Sequence, residues 1–143
     1  MQTFAIALCG YVLKHRFGTA SVAAYLALGA CGVPVFSGFR GGVQVLLGPT
    51  GGFLFGFILL CAFCGFSSLF ANKALKIIFS FSGLFLCHLI GIIQYCLVSG
   101  VYFRQALITV SLPFFIKDII LVAIAFLVSQ FIRMLFERLH IKL

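Results

Sequence analysis

Apolar residues fall in long unbroken runs along this chain, and the runs set its architecture. Five can be marked, at 3–13, 20–36, 52–71, 77–98 and 119–136. The middle three approach the ~20 residues an α-helix needs to cross the hydrocarbon core of a bilayer. No run alternates apolar with polar positions, which argues against a closed β-barrel. Unpaired backbone groups are intolerable in lipid, so helices remain. The first run is short, and at ~1.5 Å per residue it covers about half of the core. The expected fold is therefore an all-α integral membrane protein: a single domain over 1–143, with about five transmembrane helices.

Polar links punctuate the runs. They are Lys14-His15-Arg16-Phe17-Gly18, a glycine-rich stretch from Ser37 to Gly52, Asn72-Lys73 to Lys76, and a long link at 99–117 that holds Arg104 and Pro113. Alternating sides gives one side Lys14, Arg16, Lys73, Lys76, Arg133, Arg138 and Lys142. The other side receives only Arg40, Arg104 and Lys117. By the positive-inside rule the C-terminus is cytoplasmic, and the links at 37–51 and 99–118 face outward.

Composition supports a membrane protein. The 143 residues are 64% hydrophobic and 8% charged, against about 25% charged in soluble domains. The net charge of +8 sits in short clusters between apolar runs, with no basic stripe interleaved with aromatics, so it reads as topology and not as a nucleic-acid surface. Basic residues follow the first apolar run instead of preceding it, unlike a signal peptide. All six cysteines lie in or beside apolar stretches. Cys61 and Cys64 form a C-x-x-C with no second pair and no neighbouring His, so they read as small buried hydrophobes. His88, beside Cys87, reads as a single imidazole satisfied by a neighbouring helix.

Candidate chemistry is sparse. Gly48-Pro49-Thr50-Gly51-Gly52 enters a helix, where free N–H groups and glycines can meet an anionic group; a tight turn built for packing is the reading the residues alone favour. Asp118 is the one acidic residue before the C-terminal Glu137. A carboxylate near the bilayer is a functional candidate, although Asp118 at a helix start would also serve as an N-cap. Lys117 precedes it on a different helical face, which argues against an ion pair between them. Arg40 and Gln44 in the outer link are placed to reach an anionic ligand tail. Neither a phosphate loop nor a hydrolase or metalloprotease motif is present, so the chain is expected to be no enzyme and to need no cofactor. Ala20-x-x-x-Ala24 and Gly52-x-x-x-Gly56 have the spacing of close helix contacts.

The segments Gly32-Val33-Pro34-Val35-Phe36-Ser37-Gly38 and Leu46-Leu47-Gly48-Pro49-Thr50-Gly51-Gly52-Phe53-Leu54-Phe55-Gly56-Phe57 resemble the signature of the BioY family. Gln2-Thr3, the 18–29 region and Leu112-Pro113-Phe114 with Asp118 fit as well. The resemblance implies a biotin-binding subunit (S component) of an energy-coupling-factor transporter in the cell membrane. Such a subunit captures biotin from outside and delivers it inward with a transmembrane coupling subunit and ATPase subunits, which alone use ATP. Asp118 would then bind the ureido head of biotin, with the glycine-rich link and the Thr50-Gly51 turn closing over it. Lys117 stands where the family has Gly, and Leu121 where it has Lys. The family's six helices include one before Gln2-Thr3, so further coding sequence upstream of Met1 is expected. Two other classes stay open: a non-transporting structural or assembly membrane protein, and a metal or redox protein built on Cys61, Cys64 and His88.

Overall fold

The computed structural model describes residues 1–138, apart from the side chain of Glu137; Lys142, counted above in the charge bias, lies outside the described residues. In chain order the elements are α1 (Gln2–Ala30), α2 (Val43–Leu47), α3 (Gly51–Ser67), α4 (Lys73–Ser99), α5 (Phe103–Ala106), a π-helical turn (Leu107–Ser111) and α6 (Leu112–Arg138). Among the described residues the only β pairing is an isolated bridge between Phe36 and Arg40.

Helix α1 folds back on itself at Lys14, whose φ of 62° and ψ of 179° are non-helical. A positive φ of this kind costs a non-glycine residue about 1–3 kcal/mol. Residues 2–13 and 15–30 become antiparallel arms, with Cys9 Sγ 3.9 Å from Gly18 O and the Gln2 amide donating to the Tyr25 hydroxyl. Glycines let α1 press closely against α3. A Cβ on Gly10 would strike the Cys61 carbonyl, and one on Gly65 would strike the backbone of His15. Arg133 of α6 donates to Tyr11 O at 2.8 Å, one of the carbonyls that the end of a helix leaves without a partner. The first two apolar runs are thus separate segments, as their polar link suggests.

Several boundaries differ from the sequence reading. The second arm stops at Ala30 and not at position 36, because Gly32 at φ 99° and Pro34 follow immediately. Helix α4 begins at Lys73, earlier than expected, since Asn72 Oδ1 accepts from Ala74 N–H at 2.9 Å as an N-cap. The largest correction concerns 99–118. Gly100 in the left-handed conformation ends α4, and the chain is helical again from Phe103. Pro113 lies inside this helix because a wider turn precedes it: Leu112 N–H bonds to Leu107 O, five residues back, and the Thr109 hydroxyl takes Gln105 O at 2.8 Å. The wider register relieves the clash that a proline ring makes with the preceding turn. Lys117 and Asp118 therefore lie within α6, which excludes the N-cap reading of Asp118.

Helix α3 is sandwiched between α1 and α4, while α6 rests mainly on α1, touches α4 lightly and does not meet α3. The inward stripe of α4 is Ser80, Gly83, Leu84, Cys87, His88, Gly91 and Ile92; that of α6 is Asp118, Val122, Ala125 and Ser129. The opposite face of α6 is equally apolar yet exposed, through Ile120, Ile124, Leu127, Phe131 and Leu135. A helix apolar on both faces suits lipid on its outer side. Helix α4 and the stretch Phe103–Phe136 are long and apolar enough to cross a membrane, and α3 is a shorter apolar helix. Gly52 and Gly56 press on α4, as their spacing suggests. Ala20 and Ala24, expected to pack, are instead exposed.

Candidate ligand-binding site

Because α6 leans on α1 and leaves α3 uncovered, a cavity of about 600 Å³ opens among α1, α3, α4 and α6. Phe53, Leu54 and Phe57 of α3 and Phe114 of α6 form apolar walls; Thr3, Thr50, His88, Lys117 and Asp118 supply polar groups. Over the cavity lies the 31–42 link, folded into a turn that carries Gly38 at φ 77° and Phe39 at φ 54°. Its Phe36 ring lies where a Cβ on Gly29 would be, and the Tyr25 hydroxyl donates to Val35 O at 3.0 Å. Arg40 from this turn also lines the cavity.

Asp118 is 7% exposed and stands on the inward stripe of α6. Its Oδ2 lies 3.3 Å from His88 Nε2, and His88 Nδ1 is 2.9 Å from Ser111 Oγ. The imidazole is gripped edge-to-face by Phe53 at 5.4 Å and Phe115 at 5.0 Å. Lys117 Nζ is 3.3 Å from Asp118 Oδ1 and 4.8 Å from the Phe114 ring centre. This corrects the expectation from helical faces: the four-carbon stem of Lys117 is long enough to curl back to its neighbour. Oδ1 is buried and paired with the Lys117 ammonium, and Thr3 stands beside the carboxylate. A carboxylate oxygen has more than one lone pair, so Oδ1 beside the cavity can still accept from a ligand donor.

Of the residues proposed from sequence, the cavity gathers Asp118, Lys117, Thr50 and Arg40. Gly51 and Gln44 do not line it. Gly51 is buried where a Cβ would strike the Leu46 carbonyl, so its smallness serves the turn into α3. Gln44 is exposed on α2, beside Gly42. Gln94 and Ser111 escaped the sequence reading. Gln94 of α4 donates to Leu46 O at 2.7 Å and Gly48 O at 2.9 Å, holding the turn that delivers Thr50. Ser111 falls within the 99–117 link, while His88 is met by Asp118 of the neighbouring α6, as its reading from sequence expected. The signal for His88 was its place on a buried helical stripe, where an ionisable group is costly and needs a named partner. Cys61 and Cys64 are fully buried against the first arm of α1, away from His88, and the described residues hold no group of three His, Cys, Asp or Glu able to bind a metal ion.

Comparison with known proteins agrees with this architecture. The BioY family model matches residues 1–138. A probable biotin transporter BioY of Pyrococcus horikoshii is 35% identical over 130 residues, covering 91% of this chain and 76% of that one. The biotin transporter BioY of Thermotoga maritima is 59% identical over 59 residues, so the match spans 41% of this chain and only about a third (35%) of that relative. Among solved structures, the S-component for biotin from an ECF-type ABC transporter superposes with a TM-score of 0.81 at 28% identity, over 92% of this chain and 73% of that one. Matched along all its described helices in sequence, and along nearly all of them in fold, the chain belongs to the BioY family.

Proposed function

We propose that this chain captures biotin from outside the cell and is the substrate-binding S component of a biotin uptake system. The observation that carries the reading is the buried Asp118 carboxylate, one oxygen held by His88 and the other paired only with Lys117, at the wall of a cavity of about 600 Å³ lined by phenylalanines. Ligand pockets of roughly 300–1,000 Å³ with apolar walls and a few convergent polar groups hold molecules of this size. Biotin matches that chemistry, with two ureido N–H donors, a ureido carbonyl, an apolar bicycle and a carboxylate tail. Asp118, beside Lys117, accepts from the ureido head, the phenylalanines cover the rings, and Arg40 balances the tail. The names of the relatives support the same ligand.

Arg40 and the cavity lie at one end of the bundle, while the Lys14 fold, Lys73, Lys76 and Arg133 lie at the other. The positive-inside rule puts the second end in the cytoplasm, so the cavity opens outward in the cell membrane. The likeness to the S-component for biotin of an ECF-type ABC transporter supports inward release through a transmembrane coupling subunit and ATPase subunits. Equilibrium dialysis of the purified protein with labelled biotin tests the reading. A hydrogen bond to a charged group is worth about 1.5–3 kcal/mol, so Asp118→Ala weakens binding roughly ten- to a hundredfold. Failure of the parent to bind biotin, or equal binding by Asp118→Ala with unchanged thermal stability, overturns it.

A further inference from the structure

The polar cluster reaches beyond Asp118, and its hydrogen-bond direction can be worked out. An ionised carboxylate only accepts, so His88 Nε2, 3.3 Å from Asp118 Oδ2, carries the ring proton. In the neutral ring His88 Nδ1 then has a lone pair and accepts from the Ser111 hydroxyl at 2.9 Å. The chain of donors runs one way: Ser111 to His88 to Asp118. Phe53 and Phe115 meet the imidazole edge-to-face from two elements, α3 and α6, and leave the ring little freedom to turn. Ser111 owes its position to the π-helical turn that ends on it, and such turns recur at functional sites. The consequence falls on Asp118. One oxygen is committed to His88, while the other is buried at the cavity, paired with the Lys117 ammonium at 3.3 Å and able to accept a further donor.

We propose that His88 and Ser111 are positioning residues for ligand capture. They fix the Asp118 carboxylate so that Oδ1 alone is presented, which selects a ligand head bearing an N–H donor over one of the same shape without it. The inference rests on the assignment of biotin as ligand and adds the residues that set its selectivity. Without His88 the carboxylate is free to rotate, and Oδ2 competes with Oδ1 for Lys117 and for the ligand donor. A site that satisfies a buried acceptor through the ligand rejects an analogue lacking the donor, because the acceptor is then left unpaired.

The test compares two ligands on the full-length protein: biotin, and biotin methylated in turn at each ureido nitrogen. Dissociation constants and melting midpoints are measured for the parent, His88→Leu and Ser111→Ala. The parent is expected to bind biotin tightly and to reject the derivative methylated at the nitrogen facing Oδ1. His88→Leu is expected to weaken biotin roughly ten- to a hundredfold, the loss of one charge-assisted hydrogen-bond arrangement, while changing the affinity of that derivative much less. His88→Gln, which keeps an N–H donor at similar reach, is expected to restore part of the discrimination. Where His88→Leu fails to fold, Ser111→Ala supplies the same comparison with a smaller loss in the same direction. Equal proportional losses for the two ligands mean a merely structural role and overturn the inference alone. A parent that binds no biotin overturns the ligand assignment, and this inference with it.

Discussion

Gln94→Leu is a sharp test of how α4 shapes the cavity from a distance. The Gln94 amide donates to Leu46 O at 2.7 Å and to Gly48 O at 2.9 Å, tying α4 to the turn before α3. Leucine fills similar space and donates nothing. Gly48 O keeps a second partner, Gly51 N–H at 3.1 Å, so it loses an ordinary hydrogen bond of about 0.5–1.5 kcal/mol net. Leu46 O loses the Gln94 donor in a buried setting, which costs about 1–3 kcal/mol. Together the loss is roughly 1.5–4.5 kcal/mol, and at about 2–4 °C per kcal/mol for domains near this size the melting midpoint should fall by roughly 3–18 °C. Differential scanning fluorimetry of detergent-purified protein measures that shift, and dialysis measures biotin binding alongside it. The turn also delivers Thr50 to the cavity, so affinity falls with stability. A midpoint equal to that of the parent would refute the claim that Gln94 holds the turn.

Three further outcomes are expected. Gly10→Ala puts a Cβ onto the Cys61 carbonyl where α1 and α3 meet; overpacking of this kind costs about 1–3 kcal/mol, visible as a lowered midpoint, and an unchanged midpoint counts against the tight seam. Arg133→Met strips Tyr11 O of its 2.8 Å donor at the fold of α1 and lowers stability by about 1–3 kcal/mol with little effect on biotin affinity; a selective loss of affinity would contradict it. Cysteine placed at Arg40, on the exposed turn over the cavity, should react with membrane-impermeant maleimide added outside intact cells on a cysteine-depleted background. Reaction only from the cytoplasmic side would reverse the orientation.

The sequence by itself determined the solvent, the class of element and the order of the spans. Lipid cannot hydrogen-bond a backbone, so continuous apolar runs permit only helices, and the cluster at Lys14 to Arg16 was enough to part the first two runs. It also marked Asp118, because a lone carboxylate amid apolar residues is conspicuous. Tertiary structure decided what Asp118 faces. Helical periodicity places Lys117 and Asp118 on different faces, yet a flexible four-carbon stem brings their charges to 3.3 Å. Pro113 reads locally as the end of a link; only the five-residue hydrogen-bond register before it reveals a helix running through. His88 lies 30 positions before Asp118 and Gln94 lies 48 after Leu46, and no local pattern encodes such pairs. They meet because glycines at 52 and 56 draw α4 onto α3 while α6 is held on α1, and those distances are set by packing across the whole bundle.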